Sequence, residues 1–213
     1  MKSRSAFYDG RLYAALVEPF QRRLHERLEQ LVEPGSTVLD ACCGAGALAL
    51  RLAGKGARVT GVDLSPAQVG FAETRRRARG IDRATFAVAD ATDLGRWSAG
   101  HFDTAVIVLA LHEMPPAERV PTLRELARVS RRVLAVDYAV PLPAGPVGWL
   151  SRAIEFAAGP RHFRAFLEFC RRGGLEGIAG KAGLHVGRRE TIEGGALVLW
   201  ELARRSPRVR PVR

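Results

Sequence analysis

The chain has 213 residues, 47% of them hydrophobic and 26% charged, and carries a formal net charge of +11. That length and apolar content support one substantial core. The sequence contains no low-complexity linker and no apolar run long enough to cross a bilayer, which predicts a single soluble domain, cytoplasmic in location. Three cysteines, two of them adjacent, with no Cys-x-x-Cys or His-x-x-x-His spacing, exclude a disulfide framework and predict reduced thiols and no metal site. The positive charge would concentrate any polyanion without naming one. Arg75, Arg76, Arg77 and Arg79, and the Pro-containing tail with Arg204, Arg205, Arg208, Arg210 and Arg213, read as a solvated helix end and a frayed terminus.

In chain order, Leu12, Leu16, Phe20, Leu24, Leu28 and Leu31 recur every three to four residues and predict a helix over 11–31, with Pro19 as a kink. A turn at Glu33-Pro34-Gly35-Ser36 follows. Apolar runs predict strands at 37–41, 58–62, 85–89, 102–109 and 132–138, and helices between them at 45–53, 66–79 and 116–129. Ser65-Pro66 has the form of a helix start, serine capping and proline in the first turn. Such alternation predicts a parallel sheet covered on both faces. The stretch 141–174 is too long for an ordinary loop, and its aromatics, Trp149, Phe156, Phe163, Phe166 and Phe169 among them, predict one or two amphipathic helices. Strand-like runs at 185–193 and 196–203, parted by Gly194-Gly195, require an antiparallel hairpin, so the sheet should carry one reversed strand.

The chemistry concentrates at the first turn. Val38-Leu39-Asp40 leads into Ala41-Cys42-Cys43-Gly44-Ala45-Gly46, and Val59-Thr60-Gly61-Val62-Asp63 follows after a helical stretch, the form of a nucleotide-binding β-α-β unit. Side chains at Gly44 and Gly46 would obstruct a ligand approaching the backbone. Asp63, at the end of the second strand, stands where a short carboxylate can accept hydrogen bonds from both hydroxyls of a ribose.

These residues resemble class I S-adenosylmethionine-dependent methyltransferases, in the broad branch that includes the ubiquinone/menaquinone biosynthesis methyltransferases. Residues 38–46 resemble the family's first motif, commonly Val-Leu-Asp-x-Gly-Cys-Gly-x-Gly, with Cys42 replacing the first glycine. Gly61-Val62-Asp63-Leu64-Ser65 resembles the second, Val88-Ala89-Asp90-Ala91 the third, and Phe102-Asp103 through Leu109-Ala110-Leu111-His112-Glu113-Met114 the fourth. The resemblance implies an α/β, Rossmann-like three-layer sandwich with a seven-stranded, mostly parallel sheet and one antiparallel strand in a C-terminal hairpin. It implies S-adenosylmethionine as cofactor and S-adenosylhomocysteine as product. Carried over by position, Gly44 and Gly46 pass under the methionine portion and Asp40 holds its ammonium. Asp63 takes the ribose, Leu64 covers an adenine face, Asp90 and the Ala91 amide read the adenine edge, and Cys42 and Leu109 complete the cofactor set.

His112 is the first candidate for a general base and Glu113 the second, because both follow the fourth strand at the edge where the sulfonium belongs. The expected layout is one methyltransferase domain. It comprises a helical cap (1–35), a cofactor-binding core (36–140), a helical lid (141–174), a hairpin completing the sheet (175–203) and a basic tail (204–213). Tyr8, Tyr13, Tyr138, Trp149 and Phe163 are the candidate acceptor contacts. A small-molecule acceptor is expected. RNA or protein methylation, a non-catalytic S-adenosylmethionine-binding protein and a nicotinamide-dependent oxidoreductase are the competing readings.

Overall fold

The computed structural model describes residues 22–204. Tyr8, Tyr13, the first part of the expected amino-terminal helix with Pro19, and the tail beyond Arg204 lie outside them. Helix α1 (Arg22–Leu31) buries Leu24 and Leu28, four residues apart and so on one face. Then come β1 (Thr37–Ala41), α2 (Ala47–Gly54), β2 (Arg58–Asp63), α3 (Pro66–Ala78), β3 (Ala84–Val88), β4 (Phe102–Val108), α4 (Pro116–Val129) and β5 (Ser130–Tyr138). Helices α5 (Pro146–Ala157), α6 (Pro160–Arg171) and α7 (Gly174–Ala182) precede β6 (Leu184–Ile192) and β7 (Leu197–Arg204), which a short 3-10 turn at Glu193–Gly195 connects.

All seven strands form one sheet in the order β3-β2-β1-β4-β5-β7-β6. The pairs among β1 to β5 are parallel, while β7 runs antiparallel to both β5 and β6. This is the expected α/β sheet with one reversed strand. Strand order runs outward from β1 in one direction and resumes from β4 in the other. Right-handed crossovers on the two sides of that point therefore cover opposite faces, and the carboxyl ends of β1 and β4 part to leave a crevice. The inner strands are apolar throughout, with Val38, Leu39, Ala41, Val62, Ala105, Val106, Ile107, Leu134 and Ala135 almost fully buried. At about 1.5 to 3 kcal/mol for each large side chain removed from water, this layer holds the strand tips in register.

The local signals act as their chemistry requires. Ser65 caps α3, its hydroxyl accepting from the Gln68 amide, and Pro66 takes the first helical position, where its missing N–H leaves no donor unpaired. Edge strand β6 is mostly exposed, carries Arg188, Arg189 and Glu190, and is irregular between Val186 and Arg188. A charged, bulged edge resists pairing with another chain. The structure differs from the sequence expectation at α7, a stretch with three glycines that was expected to begin the hairpin. Leu175, Ile178 and Ala179 are buried there, and tertiary burial of that face outweighs the poor helix propensity of glycine.

Candidate active site

The glycine turn lies at the crevice. Cys42, Gly44 and Gly46 all adopt left-handed backbone conformations, with φ of 58°, 51° and 75°. The loop folds back so tightly that the Gly46 N–H donates to the Cys43 carbonyl at 2.9 Å, while the Cys43 N–H is tied to the Val62 carbonyl at 3.0 Å. Cys42 holds without a glycine the conformation that glycine adopts freely, at a cost of about 1 to 2 kcal/mol. The two glycines differ in purpose. A Cβ on Gly46 would stand 2.7 Å from Phe86 Cζ and 2.8 Å from Ala72 Cβ, whereas one on Gly44 would meet nothing within 4 Å among the described residues. Gly46 is required by the protein's own packing, and Gly44 leaves a bare backbone surface facing the crevice.

Two buried acids flank this loop. Asp63 accepts from the Gly44 N–H (3.0 Å) through Oδ2 and from the Ser65 N–H (2.8 Å) through Oδ1. It thereby fixes the loop at the crevice. Asp40 is 3% exposed and its Oδ2 has no hydrogen-bond partner among the described residues. Burial pushes its carboxyl up to about 7, against the Ala49 backbone N–H and with the help of the Asp63 charge. A buried carboxyl with an orphaned oxygen is costly unless something cationic completes it.

Beyond Asp63, Leu64 and Val88 are 56% and 50% exposed, and β2 and β3 are paired so that Val88 lies opposite Asp63. Their side chains offer an apolar shelf for a flat ring. Asp90, itself exposed, folds a turn by accepting from the Thr92 amide (2.8 Å) and hydroxyl (2.7 Å) through Oδ1, and Ala91 is buried behind it. Leu109 leaves β4 with φ of 49°, its N–H bonded to the Val136 carbonyl at 2.8 Å.

On the other side of β4 the polar groups close on one another. His112 is 4% exposed. Its Nδ1 lies 2.7 Å from Asp137 Oδ1, its backbone N–H donates to Asp137 Oδ2 at 3.1 Å, and its Nε2 lies 3.4 Å from Glu155 Oε2. Glu155 Oε1 accepts from the Tyr138 hydroxyl at 2.7 Å, and Oε2 also meets His162 Nε2. His162 Nδ1 stands 3.5 Å from Glu113 Oε2. Burial disfavours a charged imidazole, but the Asp137 charge and the bonds to Asp137 and Glu155 prevail and hold His112 well above its ordinary value. Glu155 is held below the usual carboxylate range. Its burial works the other way, and the His112 and His162 contacts overcome it. Arg119, 2% exposed, ties this cluster together by donating to the carbonyls of Met114 (3.1 Å), His112 (3.2 Å) and Ala165 (2.8 Å).

The structure therefore gathers Asp40, Cys42, Gly44, Gly46, Asp63 and Leu64 around one crevice, with Asp90, Ala91 and Leu109 on the loops beside it. His112, Glu113 and Tyr138 belong to a neighbouring ionic cluster. Phe163 packs edge-on against Phe156 (5.5 Å) and stacks near Phe166 (6.2 Å), while Trp149 is 74% exposed on α5. Sequence reasoning assigned no role to Glu155, His162 or Arg119. They sit on separate elements with no diagnostic spacing. The one available signal was the pair of acid and histidine in two aromatic-rich helices that Gly159-Pro160 separates.

Residues 38–132 match a family described as "Methyltransferase domain". An uncharacterized methyltransferase of Synechocystis is 38% identical over 111 residues, which are 51% of this chain and 50% of that protein. The magnesium-protoporphyrin O-methyltransferase of Synechocystis is 34% identical over 110 residues, 50% of this chain and 45% of that protein. Other relatives are described as uncharacterized RNA methyltransferases. The chain spans about half the length of these two curated relatives. Among solved structures, magnesium protoporphyrin IX methyltransferase from Synechocystis with bound S-adenosylhomocysteine superposes with a TM-score of 0.64 at 24% identity, over 88% of this chain and 85% of that one. Among the described residues, no helix is long and apolar enough to cross a membrane.

Proposed function

We propose that this chain, whose residues 38–132 match a family described as "Methyltransferase domain", is an S-adenosylmethionine-dependent methyltransferase that transfers the methyl group to a small, partly apolar acceptor. The observation that carries the reading is the pairing of Asp40, buried with one orphaned oxygen, with the bare face of Gly44. An α-ammonium would complete the first, and the chain of an amino acid would lie on the second. The cofactor, when bound, supplies a methyl already activated on a sulfonium.

What the protein adds is placement. Asp40 binds the ammonium. Asp63 accepts from the ribose hydroxyls while its existing bonds to the Gly44 and Ser65 amides keep the loop at the right depth. Leu64 and Val88 cover the adenine, and Asp90 with the Ala91 amide contacts its edge. Cys42 and Leu109, both with left-handed backbone conformations, would flank the bound cofactor. Methyl transfer then needs an aligned acceptor and excluded water, and α5 and α6, with Tyr138, Trp149 and Phe163, form the lid side of that space. Tyr8 and Tyr13 would contribute from the amino-terminal segment.

His112 and Glu113 serve the acceptor side. Both ring nitrogens of His112 face carboxylates, so its first duty is to hold the lid through Glu155, and it can act as a base only after giving up a ring proton and releasing that contact. A ring-bearing acceptor, as in the quinone-type branch, fits an aromatic-walled space. The porphyrin named for one relative supports a small-molecule substrate in kind.

The test is to titrate the protein with S-adenosylhomocysteine by calorimetry, then incubate it with labelled S-adenosylmethionine and a metabolite extract. One binding site and label in a small molecule are expected. Absence of binding would sink the reading. The net charge of +11 favours RNA as the second reading, and label recovered in RNA, with binding that weakens steeply as salt is raised, would put it first.

A further inference from the structure

We propose that His112, His162 and Glu155 form a binding site for a divalent first-row transition metal ion at the junction of the β4 loop, α5 and α6. One atom from each of the three converges, all lying within 4.8 Å of one another. Two imidazole nitrogens and one carboxylate oxygen are a donor set suited to Zn²⁺, Co²⁺ or Fe²⁺.

Three further features point to a metal rather than to a chance cluster. The first is the backing of each ring. His112 turns Nδ1 to Asp137 at 2.7 Å and presents Nε2 to the cluster, and His162 turns Nδ1 to Glu113 at 3.5 Å and also presents Nε2. A carboxylate behind the non-ligating nitrogen is the arrangement that orients metal-binding histidines. The second is the hold on Glu155. The Tyr138 hydroxyl occupies Oε1 at 2.7 Å and leaves Oε2 directed at both rings.

The third is charge. Asp137, Glu155 and Glu113 bring three carboxylates to two imidazoles in a space where the side chains of His112 and Glu155 are each 5% exposed and that of Asp137 is fully buried. A dication would bring positive charge to these buried carboxylates. Donor atoms around such an ion, each at about 2.0 to 2.2 Å from it, stand roughly 3.0 to 3.5 Å apart. The 3.4 Å between His112 Nε2 and Glu155 Oε2 already meets this, and the hydrogen-bonded contact of Glu155 with His162 would open to admit the ion. Access is from the side of His162 and Glu113, whose side chains are 11% and 18% exposed. Phe166, Phe169 and Tyr138 wall the rest, packing around the His112 ring at 6.3, 6.3 and 5.0 Å. Three protein ligands leave coordination positions open. That an acceptor oxygen takes one of them is a use that rests on the proposed function, whereas metal binding itself does not.

Chelator-stripped full-length protein titrated with Co²⁺ tests the site through visible absorption and metal content after dialysis. One equivalent should bind with a d–d spectrum. His162→Ala and Glu155→Gln should each weaken binding at least tenfold, and Glu113→Gln by about 10- to 100-fold, the size of effect known for groups that back metal-binding histidines. Affinity for S-adenosylhomocysteine should stay unchanged throughout. Wild-type protein that takes up no more Co²⁺ than His162→Ala overturns the inference. If Glu155→Gln fails to fold, the partly exposed His162 decides alone. Metal bound without S-adenosylhomocysteine would leave this site standing and overturn the function proposed above, and the converse result would do the reverse.

Discussion

At the tips of β1 and β2, Asp40 keeps a buried oxygen without a partner among the described residues, beside a glycine whose Cβ position meets none of them within 4 Å. At the tip of β5 and on α5, Asp137 and Glu155 each meet several donors, from His112, Tyr138 and His162. The same sheet edge thus carries one half whose polar groups are incomplete and another whose groups complete each other. Unsatisfied buried acid in the first half marks where a ligand must arrive. In the second half the satisfied network fixes two helices to the sheet, and any ligand there must displace a contact already made.

The largest expected effect comes from Asp40. Its folded carboxyl titrates at about 7 against an ordinary 3.8, so between about pH 4 and pH 7 the folded chain holds a proton that the unfolded chain has lost. Stability therefore falls as pH rises through that window, by about 4 kcal/mol in all. Asp40→Asn should abolish this decline in urea melts of the ligand-free protein, and should cost at least tenfold in S-adenosylhomocysteine affinity at pH 8. A variant as pH-dependent as the parent would remove Asp40 from the account.

Next is Gly46→Ala, which adds a methyl against Phe86 and Ala72 at a left-handed position. Destabilisation by about 2 to 4 kcal/mol should appear in chemical denaturation. Asp63→Ala should weaken S-adenosylhomocysteine binding by about 1 to 3 kcal/mol and also loosen the loop, since Asp63 accepts two backbone amides. Stability unchanged in that variant would deny it the structural half of its role.

Gly44→Ala sharpens the contrast between the glycines. Strain of about 1 to 2 kcal/mol is expected from its left-handed backbone alone, together with a cofactor affinity at least tenfold lower by calorimetry. Equal affinity would mean that the bare surface is not where the ligand lies. The smallest effect belongs to the closed half. Tyr138→Phe removes the hydroxyl that donates to Glu155, and should cost about 1 kcal/mol of stability with no change in S-adenosylhomocysteine binding.

Much of the open half was legible along the chain because it is local. Asp40, Gly44 and Gly46 lie within seven consecutive residues, Asp63 ends the next strand, and Ser65-Pro66 caps the helix after it. The parallel sheet followed from the alternation, and its one reversed strand from the terminal hairpin. The division of labour between Gly44 and Gly46 could not be read, because it depends on Phe86, brought in by β3 from forty residues away. The closed half was hidden for a similar reason. His112, Asp137, Glu155 and His162 come from four separate elements and meet only through tertiary packing, with no spacing that periodicity could reveal. Helix α7 escaped because its glycines speak against a helix, while the burial that forms it is supplied by the rest of the fold.

The reversal of β7 has a practical consequence for labelling and immobilisation. Leu197 pairs with Tyr138 beside the ionic cluster, and Leu202 pairs with Val133 toward the opposite edge, so β7 carries Arg204 about 20 to 25 Å from the crevice at strand spacing. Arg204 is moored there by its bond to the Ala127 carbonyl at 2.9 Å. A fluorophore or surface tether attached at the exposed Arg204 would sit on the underside of the sheet, away from the strand tips that face the crevice.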